Sequence, residues 1–264
     1  MNNKEPIIIV AGEPNSIFLE IFFKCIKKQR YKSPLVIIAS KKLLEEQMKK
    51  LGFFFRINTI NESFNEFDKL DNNMINVIDV KYKFTECFDR ISVRSNNYIK
   101  KSFRIALKIL IKNKFSKFIN GPISKKHFLK GKSLGITEYI AKKTKVEKNV
   151  AMLIFNKKLS VSPLTTHLAL KDVSKHITKQ KIYIQVKLIT EFYKNKFKKK
   201  PRIAITGLNP HCESNFQNSE EDKVIIPAIK KLRLKNNKIN GPFPADTIFT
   251  KSLSNKFDVI IGMY

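Results

Sequence analysis

The sequence predicts an α/β fold in which a largely parallel sheet is flanked by helices. Short apolar runs with the length of buried strands alternate with segments of helical periodicity along the 264 residues, and this alternation is typical of βαβ units. Several predicted strands end at Gly, Pro or Asn, where a chain turns from strand to helix. No internal repeat or low-complexity linker marks a domain border, and a second α/β half is predicted to begin near Lys125.

In the first half, the predicted strands are short apolar runs bounded by turn residues. They span residues 7–11, 35–39, 74–80 and 118–120, and the predicted helices span residues 17–28, 41–51 and 96–112. The third helix is the clearest, because its apolar residues recur at helical spacing from Ile99 to Leu110.

In the second half, two paired strands are predicted first, joined by a turn of polar residues. They span residues 150–155 and 159–164, and the later elements are a helix at 182–197, a strand at 202–207, a helix at 220–234 and a strand at 258–262. Ser219 is the predicted N-cap of the second of these helices, and carboxylates fill its first turn, where they suit the helix dipole.

The charge of the chain is strongly positive, with 52 Lys and Arg residues against 22 Asp and Glu residues and a formal net charge of +30. A nucleic-acid-binding protein is one interpretation, because Lys and Arg neutralise phosphates. However, only seven of the 52 are Arg, and the lysines are scattered over nearly every predicted surface. A composition bias rich in Lys, Asn and Ile is therefore favoured over a nucleic-acid footprint, and an anionic small substrate would also suit this charge.

Cysteine usage and hydropathy predict a cytoplasmic protein with no membrane partner. Cys25, Cys87 and Cys212 are odd in number and form no CxxC pair, which gives neither a disulfide framework nor a zinc-finger pattern. The N-terminal apolar run is too short for a signal peptide, and no stretch reaches the roughly 18 apolar residues that span a bilayer.

Familiar nucleotide and acyl-transfer motifs are absent from the sequence. It contains no GxxxxGK[ST] phosphate loop, its eight glycines are too dispersed for a GxGxxG fingerprint, and it has no GxSxG nucleophile elbow.

Two histidines carry the strongest chemical signal. His167 in Thr-Thr-His-Leu and His211 in Gly-Leu-Asn-Pro-His each follow a predicted buried strand, and the carboxyl ends of parallel strands are where such folds bind ligands. Each alone is more typical of a structural histidine, but together they predict a divalent-metal site, because imidazole is a common metal ligand. Asp246 is a candidate third ligand, with turn capping as its alternative. His127 and His176 lack this context and are predicted surface residues.

Six ordered blocks of sequence closely resemble the 4-hydroxythreonine-4-phosphate dehydrogenase family of pyridoxal phosphate biosynthesis. They are IVAGEPNS at 9–16, NGPISK at 120–125, GITE at 135–138, TTHLALKD at 165–172, GLNPH at 207–211 and NGPFPADTIF at 240–249. The resemblance runs from the first predicted strand to the last residue.

The resemblance implies oxidation of a phosphorylated hydroxy amino acid by NAD or NADP, with loss of carbon dioxide to give 3-amino-2-oxopropyl phosphate. It implies a divalent metal (zinc, magnesium or cobalt) held by three histidines, two of which are His167 and His211, with Asp246 as a candidate neighbour of these ligands. It also implies that Thr137 binds substrate, with Ile136 beside it in that site. The implied architecture is that of isocitrate and isopropylmalate dehydrogenases: two intertwined α/β subdomains and a homodimer with shared active sites.

Three departures from the family pattern set further expectations. Ile136 stands where the family commonly has His, which would remove a substrate hydrogen bond. Residues 212–216 replace a glycine-rich stretch. The family's third metal histidine follows the pair that corresponds to Met263 and Tyr264, so the 264-residue chain is expected to be incomplete at its C-terminus and inactive or nearly so. An open sheet cut at its last predicted strand is expected to leave apolar surface uncovered and an edge exposed.

Two alternatives to the leading function remain open. The substrate could be another four-carbon phosphorylated hydroxy acid, such as threonate or erythronate 4-phosphate, an option that Ile136 keeps open. From a different class, the chain could be a basic nucleic-acid-binding protein that has lost catalysis, although the ordered blocks count against it. Nothing in the sequence separates NAD from NADP.

Overall fold

The computed structural model describes residues 5–131, 133, 135–212, 218–236 and 238–264. The chain divides into two compact units, Met1–Ile136 and Thr137–Tyr264. The pattern-based prediction placed the start of the second half near Lys125. Each unit contains one parallel sheet and its own apolar core.

The first unit alternates strands and helices along most of its length. Its elements are β1 (Ile7–Val10), α1 (Phe18–Lys28), β2 (Leu35–Ala39), α2 (Lys41–Lys50), β3 (Ile57–Ile60), β4 (Ile75–Asp79), α3 (Asn96–Asn113) and β5 (Phe118–Asn120). Short 3-10 turns lie at Phe67–Lys69 and Val93–Ser95, and a π-helical turn lies at Lys125–Leu129.

The five strands of the first unit form a parallel sheet in the order β3-β4-β2-β1-β5. The central strand β2 is buried along its whole length, as expected where helices cover both faces of a parallel sheet. On one face, Ile9 and Ile37 pack in a core with Phe23 of α1. Burial of such side chains contributes about 1.5–3 kcal/mol each to folding.

The second unit also alternates strands and helices. Its elements are α4 (Ile136–Thr144), which begins at the last residue of the first unit, and then β6 (Ser160–Pro163), α5 (Leu170–His176), α6 (Lys179–Phe197), β7 (Ile203–Thr206), α7 (Ile226–Lys235), β8 (Ile239–Phe243), α8 (Lys251–Ser254) and β9 (Val259–Gly262). A 3-10 turn at Pro210–Cys212 follows β7, and a π-helical turn at Glu221–Ile225 leads into α7.

The four strands of the second unit form a parallel sheet in the order β6-β9-β7-β8. The last strand, β9, is therefore an interior strand that pairs with β6 on one side and β7 on the other. The chain crosses over and inserts this strand between two earlier ones, so the edge strands of this sheet are β6 and β8. Val259 and Ile261 of β9 are fully buried in a core that includes Ile182 of α6.

Two further differences from the predicted elements concern strands. Residues 150–155 do not form a strand paired with the next one; they contribute a single antiparallel bridge between Ile154 and Val161. The edge strands β3 and β8 were not predicted. In the described part of the chain, no helix is both long enough and apolar enough to cross a membrane.

Candidate functional site

The two candidate metal ligands lie in loops at one edge of the second sheet. His167 follows β6, and His211 lies in the 3-10 turn that follows β7. Both strands run parallel to β9, which lies between them, so the carboxyl ends of all three strands share an edge. Both imidazoles are exposed.

Both histidines have a left-handed backbone conformation. The φ angle is +57° at His167 and +59° at His211, in a region that costs a non-glycine residue roughly 1–2 kcal/mol. Backbone conformations of this kind persist only where the surrounding structure enforces them, and they cluster at binding and catalytic sites. Lys114 and Lys198 adopt the same conformation at helix C-caps, so the positive φ shows local backbone strain at the two histidines and is not by itself a sign of function.

The buried carboxylate of Glu221 anchors the loop that leads to His211 through hydrogen bonds. Its Oε1 accepts hydrogen bonds from the backbone N–H groups of Leu208 at 2.7 Å and Asn209 at 2.9 Å. Its Oε2 accepts a third from the Asn209 side-chain amide at 2.7 Å. Burial alone would raise the pKa of Glu221, but the hydrogen bonds from Asn209 and Leu208 outweigh it and hold the pKa below its ordinary value.

This anchoring requires a glycine directly after β7. A Cβ at Gly207 would lie 2.7 Å from Cys212 Sγ and 2.9 Å from Glu221 Oε1, closer than carbon can approach either atom. Because Glu221 is fixed by three hydrogen bonds, it could not move away without releasing the loop. The glycine of Gly-Leu-Asn-Pro-His is therefore explained by close approach to this carboxylate.

The His167 loop is held by the end of β9. Leu164 donates its backbone N–H to the Gly262 carbonyl at 2.8 Å, and the Thr165 hydroxyl donates to the Met263 carbonyl at 2.7 Å. The next residue, Thr166, donates its hydroxyl to Glu138 Oε1 in α4 at 3.2 Å. These hydrogen bonds hold in place the three residues that directly precede His167.

The two residues implied in substrate binding lie at the start of α4. Ile136 and Thr137 are both half-buried. Thr137 directly precedes Glu138, so the Thr166–Glu138 hydrogen bond brings the start of α4 next to the His167 loop. Their roles in binding substrate stay predictions.

Asp246 is exposed in a turn after β8, the edge strand beyond β7. It makes no hydrogen bond to the other described residues, so turn capping is not observed. Among the residues that the structure describes, no three His, Cys, Asp or Glu side chains come close enough to hold a metal ion. The histidines thus supply two imidazole donors of the kind that suits a divalent ion, whereas catalytic zinc usually takes three protein ligands.

A second polar cluster, in the first unit, was missed by the sequence analysis. Glu13 follows β1, is only 2% exposed, and accepts a hydrogen bond from the Ser95 hydroxyl at 2.8 Å. Burial raises the pKa of Glu13, although the Ser95 hydrogen bond and the nearby His127 oppose the rise. His127 is half-buried, so it is less exposed than the surface position that the sequence predicts. The block IVAGEPNS contained the signal, a carboxylate directly after a buried strand.

Comparisons with known proteins match most of the chain. The profile of a family described as "Pyridoxal phosphate biosynthetic protein PdxA" matches residues 30–264. A 4-hydroxythreonine-4-phosphate dehydrogenase from Sulfurihydrogenibium sp. is 35% identical over 263 residues, covering 98% of this chain and 79% of the relative. A relative from Oceanobacillus iheyensis named "Putative D-threonate 4-phosphate dehydrogenase" is 29% identical, covering 99% of this chain and 81% of the relative.

A solved structure shares the fold. The crystal structure of a 4-hydroxythreonine-4-phosphate dehydrogenase from Klebsiella pneumoniae matches with a TM-score of 0.81 at 23% identity, covering 98% of this chain and 81% of that chain.

Proposed function

The chain belongs to the family of pyridoxal phosphate biosynthetic protein PdxA, and on that premise we propose that it is an NAD(P)-dependent dehydrogenase of 4-hydroxythreonine 4-phosphate. The reaction oxidises the C3 hydroxyl to a ketone: a hydride passes from C3 to the oxidised nicotinamide, and the hydroxyl loses its proton. The β-keto acid then loses carbon dioxide to give 3-amino-2-oxopropyl phosphate, a step towards pyridoxal 5'-phosphate. The 35% identical relative of that name supports this choice of substrate.

The observation that carries the proposal is the sheet edge at which the loops of His167 and His211 both lie. His167 and His211 would hold a divalent ion; of the candidates zinc, cobalt and magnesium, imidazole ligands favour the first two. Such an ion would supply Lewis acidity at the C3 oxygen of the substrate. Catalytic zinc usually takes three protein ligands, and the carboxyl end of β9, which lies between the strands that precede the two histidine loops, would be the place for a third donor.

The other residues of the site would act by positioning. Glu221 fixes the backbone that leads to His211, and Thr165 fixes the backbone that leads to His167. Thr137 at the start of α4 would bind the substrate. The formal charge of +30 raises the local concentration of an anionic phosphorylated substrate. No residue is assigned to the nicotinamide cofactor.

An assay of the protein expressed from its full coding region tests the proposal. The protein, loaded with zinc or cobalt, is mixed with 4-hydroxythreonine 4-phosphate and either NAD or NADP, and nucleotide reduction and carbon dioxide release are followed together. We expect stoichiometric formation of both products, abolished in a His167→Ala, His211→Ala double variant. Absence of nucleotide reduction with every metal and both nucleotides would overturn the proposal.

A second candidate function keeps the chemistry and changes the substrate to threonate or erythronate 4-phosphate. Two observations favour it: the relative from Oceanobacillus iheyensis, which is named for D-threonate 4-phosphate, and Ile136, which offers no hydrogen bond where the family commonly has His. A panel of these three substrates assayed side by side decides between the candidates by their kcat/KM values. Family membership counts against the nucleic-acid-binding alternative.

The homodimer with shared active sites that the resemblance implies is part of the proposal. Sedimentation velocity measures it directly, and a monomer at assay concentrations with full activity would contradict it.

A further inference from the structure

One carboxylate beside the candidate site has an oxygen with no partner. Glu138 lies in the first turn of α4, and its Oε1 accepts the Thr166 hydroxyl at 3.2 Å. Its Oε2 is shielded from solvent, and no group in the described part of the chain hydrogen-bonds to it. Leaving a buried acceptor unpaired costs about 1–3 kcal/mol, and more for a charged group. The oxygen therefore needs a donor that the described residues do not supply.

The absence of a described partner for Glu138 Oε2 is unexpected, because Lys and Arg side chains are abundant in this protein. Basic residues outnumber acidic ones by 52 to 22, and exposed carboxylates such as Glu20 and Glu66 are paired with lysines on the same segments. No described Lys or Arg forms an ion pair with Glu138, and the Lys143 ammonium of the same helix lies over the Tyr139 ring at 5.8 Å. A cation from outside the protein would suit this oxygen.

The position of Glu138 connects the two segments implied in catalysis. It directly follows Thr137, and its hydrogen-bond partner Thr166 directly precedes His167. The Thr166 hydroxyl donates to Oε1 and so fixes the carboxylate, which leaves Oε2 as the acceptor without a partner among the described residues. All of these residues belong to the second unit.

We propose that Glu138 binds the substrate ammonium group and thereby selects 4-hydroxythreonine 4-phosphate over the 2-hydroxy acids threonate and erythronate 4-phosphate. This inference rests on the proposed function. The amino acid carries an ammonium group at C2, whereas the two acids carry a neutral hydroxyl there. A hydrogen bond between ammonium and carboxylate is charge-assisted and roughly twice as strong as one between neutral groups. Glu138 is thus a specificity-determining residue, and Thr166 positions it.

Glu138→Gln tests the proposal, because it removes the charge while keeping the size of the side chain and an acceptor for Thr166. We measure kcat/KM for 4-hydroxythreonine 4-phosphate and for D-threonate 4-phosphate. The amino substrate should lose about 10- to 100-fold, as expected for a hydrogen bond to a charged group, and the hydroxy acid should change by less than about threefold. Glu147→Gln is the matched control, because Glu147 is exposed and lies just after the same helix.

Binding measured by calorimetry without cofactor separates this inference from the proposed function. If the wild type turns over neither ligand but binds the amino compound more tightly, and Glu138→Gln removes that preference, the oxidation is wrong and the role of Glu138 stands. If the wild type oxidises the amino substrate and Glu138→Gln weakens both ligands equally, or neither, the oxidation stands and the role of Glu138 is wrong. A wild type that prefers the hydroxy acid also overturns the inference. An unchanged melting temperature excludes misfolding of the variant.

Discussion

The two sheets each place a buried glutamate beside their carboxyl edge, and the two carboxyl groups are shifted in opposite directions. Glu13 in the first unit is buried, and its hydrogen bonds are too few to offset the loss of solvation, so its pKa is raised. Glu221 in the second unit is buried as well, but three donors from the His211 loop hold its pKa down. Burial therefore does not decide the charge of a carboxyl group; the number of donors aimed at it does.

The same contrast separates the roles of the two edges. At the first edge the polar groups turn inward, with Glu13 bonded to Ser95 and Gln47 bonded to the Pro14 and Cys87 carbonyls. At the second edge an inward carboxylate fixes a loop that presents an exposed imidazole. Exposed imidazoles on a backbone held in place by hydrogen bonds are able to bind a metal ion or a substrate. For this reason the proposed active site is placed in the second unit.

Removing the anchor of the second edge should have the largest effect. Glu221→Ala leaves the backbone N–H groups of Leu208 and Asn209 without their acceptor, whereas the Asn209 side-chain amide keeps Glu220 as a partner. We expect the free energy of unfolding to fall by about 2–4 kcal/mol. Urea denaturation measures it. Glu191→Ala on the exposed face of α6 is the control and should cost less than about 0.5 kcal/mol. Equal losses in the two variants would show that Glu221 is not the anchor.

Filling the space behind the loop should have a smaller effect. Gly207→Ala forces a methyl group against Cys212 and Glu221, and we expect a loss of about 1–3 kcal/mol, as for overpacking. Gly262→Ala at the same edge is the matched control, because its Cβ would meet only the Tyr264 carbonyl at 3.6 Å, an ordinary contact. If both variants unfold at the same urea concentration, close packing at Gly207 is not the constraint.

The backbone strain at the histidines should be measurable by comparing two truncations. His211→Gly and His211→Ala both remove the imidazole, but glycine adopts a positive φ without strain. After allowance for the greater unfolded-state freedom of glycine, which acts in the opposite direction, we expect the Gly variant to be more stable by about 1 kcal/mol or less. At exposed helical His176 the order should reverse in favour of Ala. A more stable Ala variant at both positions would argue against strain.

The smallest effect should appear at the first edge, and it depends on pH. The raised pKa of Glu13 means that ionisation opposes folding, so stability falls as the pH rises above the ordinary glutamate value of about 4.3 and through the higher folded value. Glu13→Gln removes this ionisation. We expect it to change stability by less than about 1 kcal/mol at pH 4 and to be increasingly favourable towards pH 8.

Glu221 should show the opposite sign. Its lowered pKa contributes stability that is complete above the ordinary value and is lost as the pH falls below it. Melting curves from pH 3 to pH 8 compare both glutamates; the same sign for both would remove the contrast between the edges.

The parts of the fold that the sequence predicts are those decided locally. Strands β2, β7 and β9 are continuous apolar runs, and their burial requires no knowledge of their neighbours. The missed strands are edge strands: β3 has two adjacent polar residues, Asn58 and Thr59, at its centre, and β8 contains Gly241 and Pro242, which disfavour a strand in isolation. The interior place of β9 depends on a crossover, which periodicity does not reveal.

The features of the candidate site also divide into those that the sequence predicts and those that only the folded structure shows. The shared edge of His167 and His211 follows from the parallel order of their strands, which the βα alternation predicts. The anchoring by Glu221 and the Thr166–Glu138 hydrogen bond join residues well separated in sequence, and only the folded chain brings them together.

Cobalt binding tests most directly the central claim that the second edge is the metal-binding centre. The protein expressed from its full coding region is titrated with Co²⁺, and the visible absorption of the bound ion is compared with that of the His167→Ala, His211→Ala double variant and of His176→Ala. We expect one saturable site in the wild type and in His176→Ala, and loss of the absorption band in the double variant. Unchanged absorption in the double variant would contradict the account.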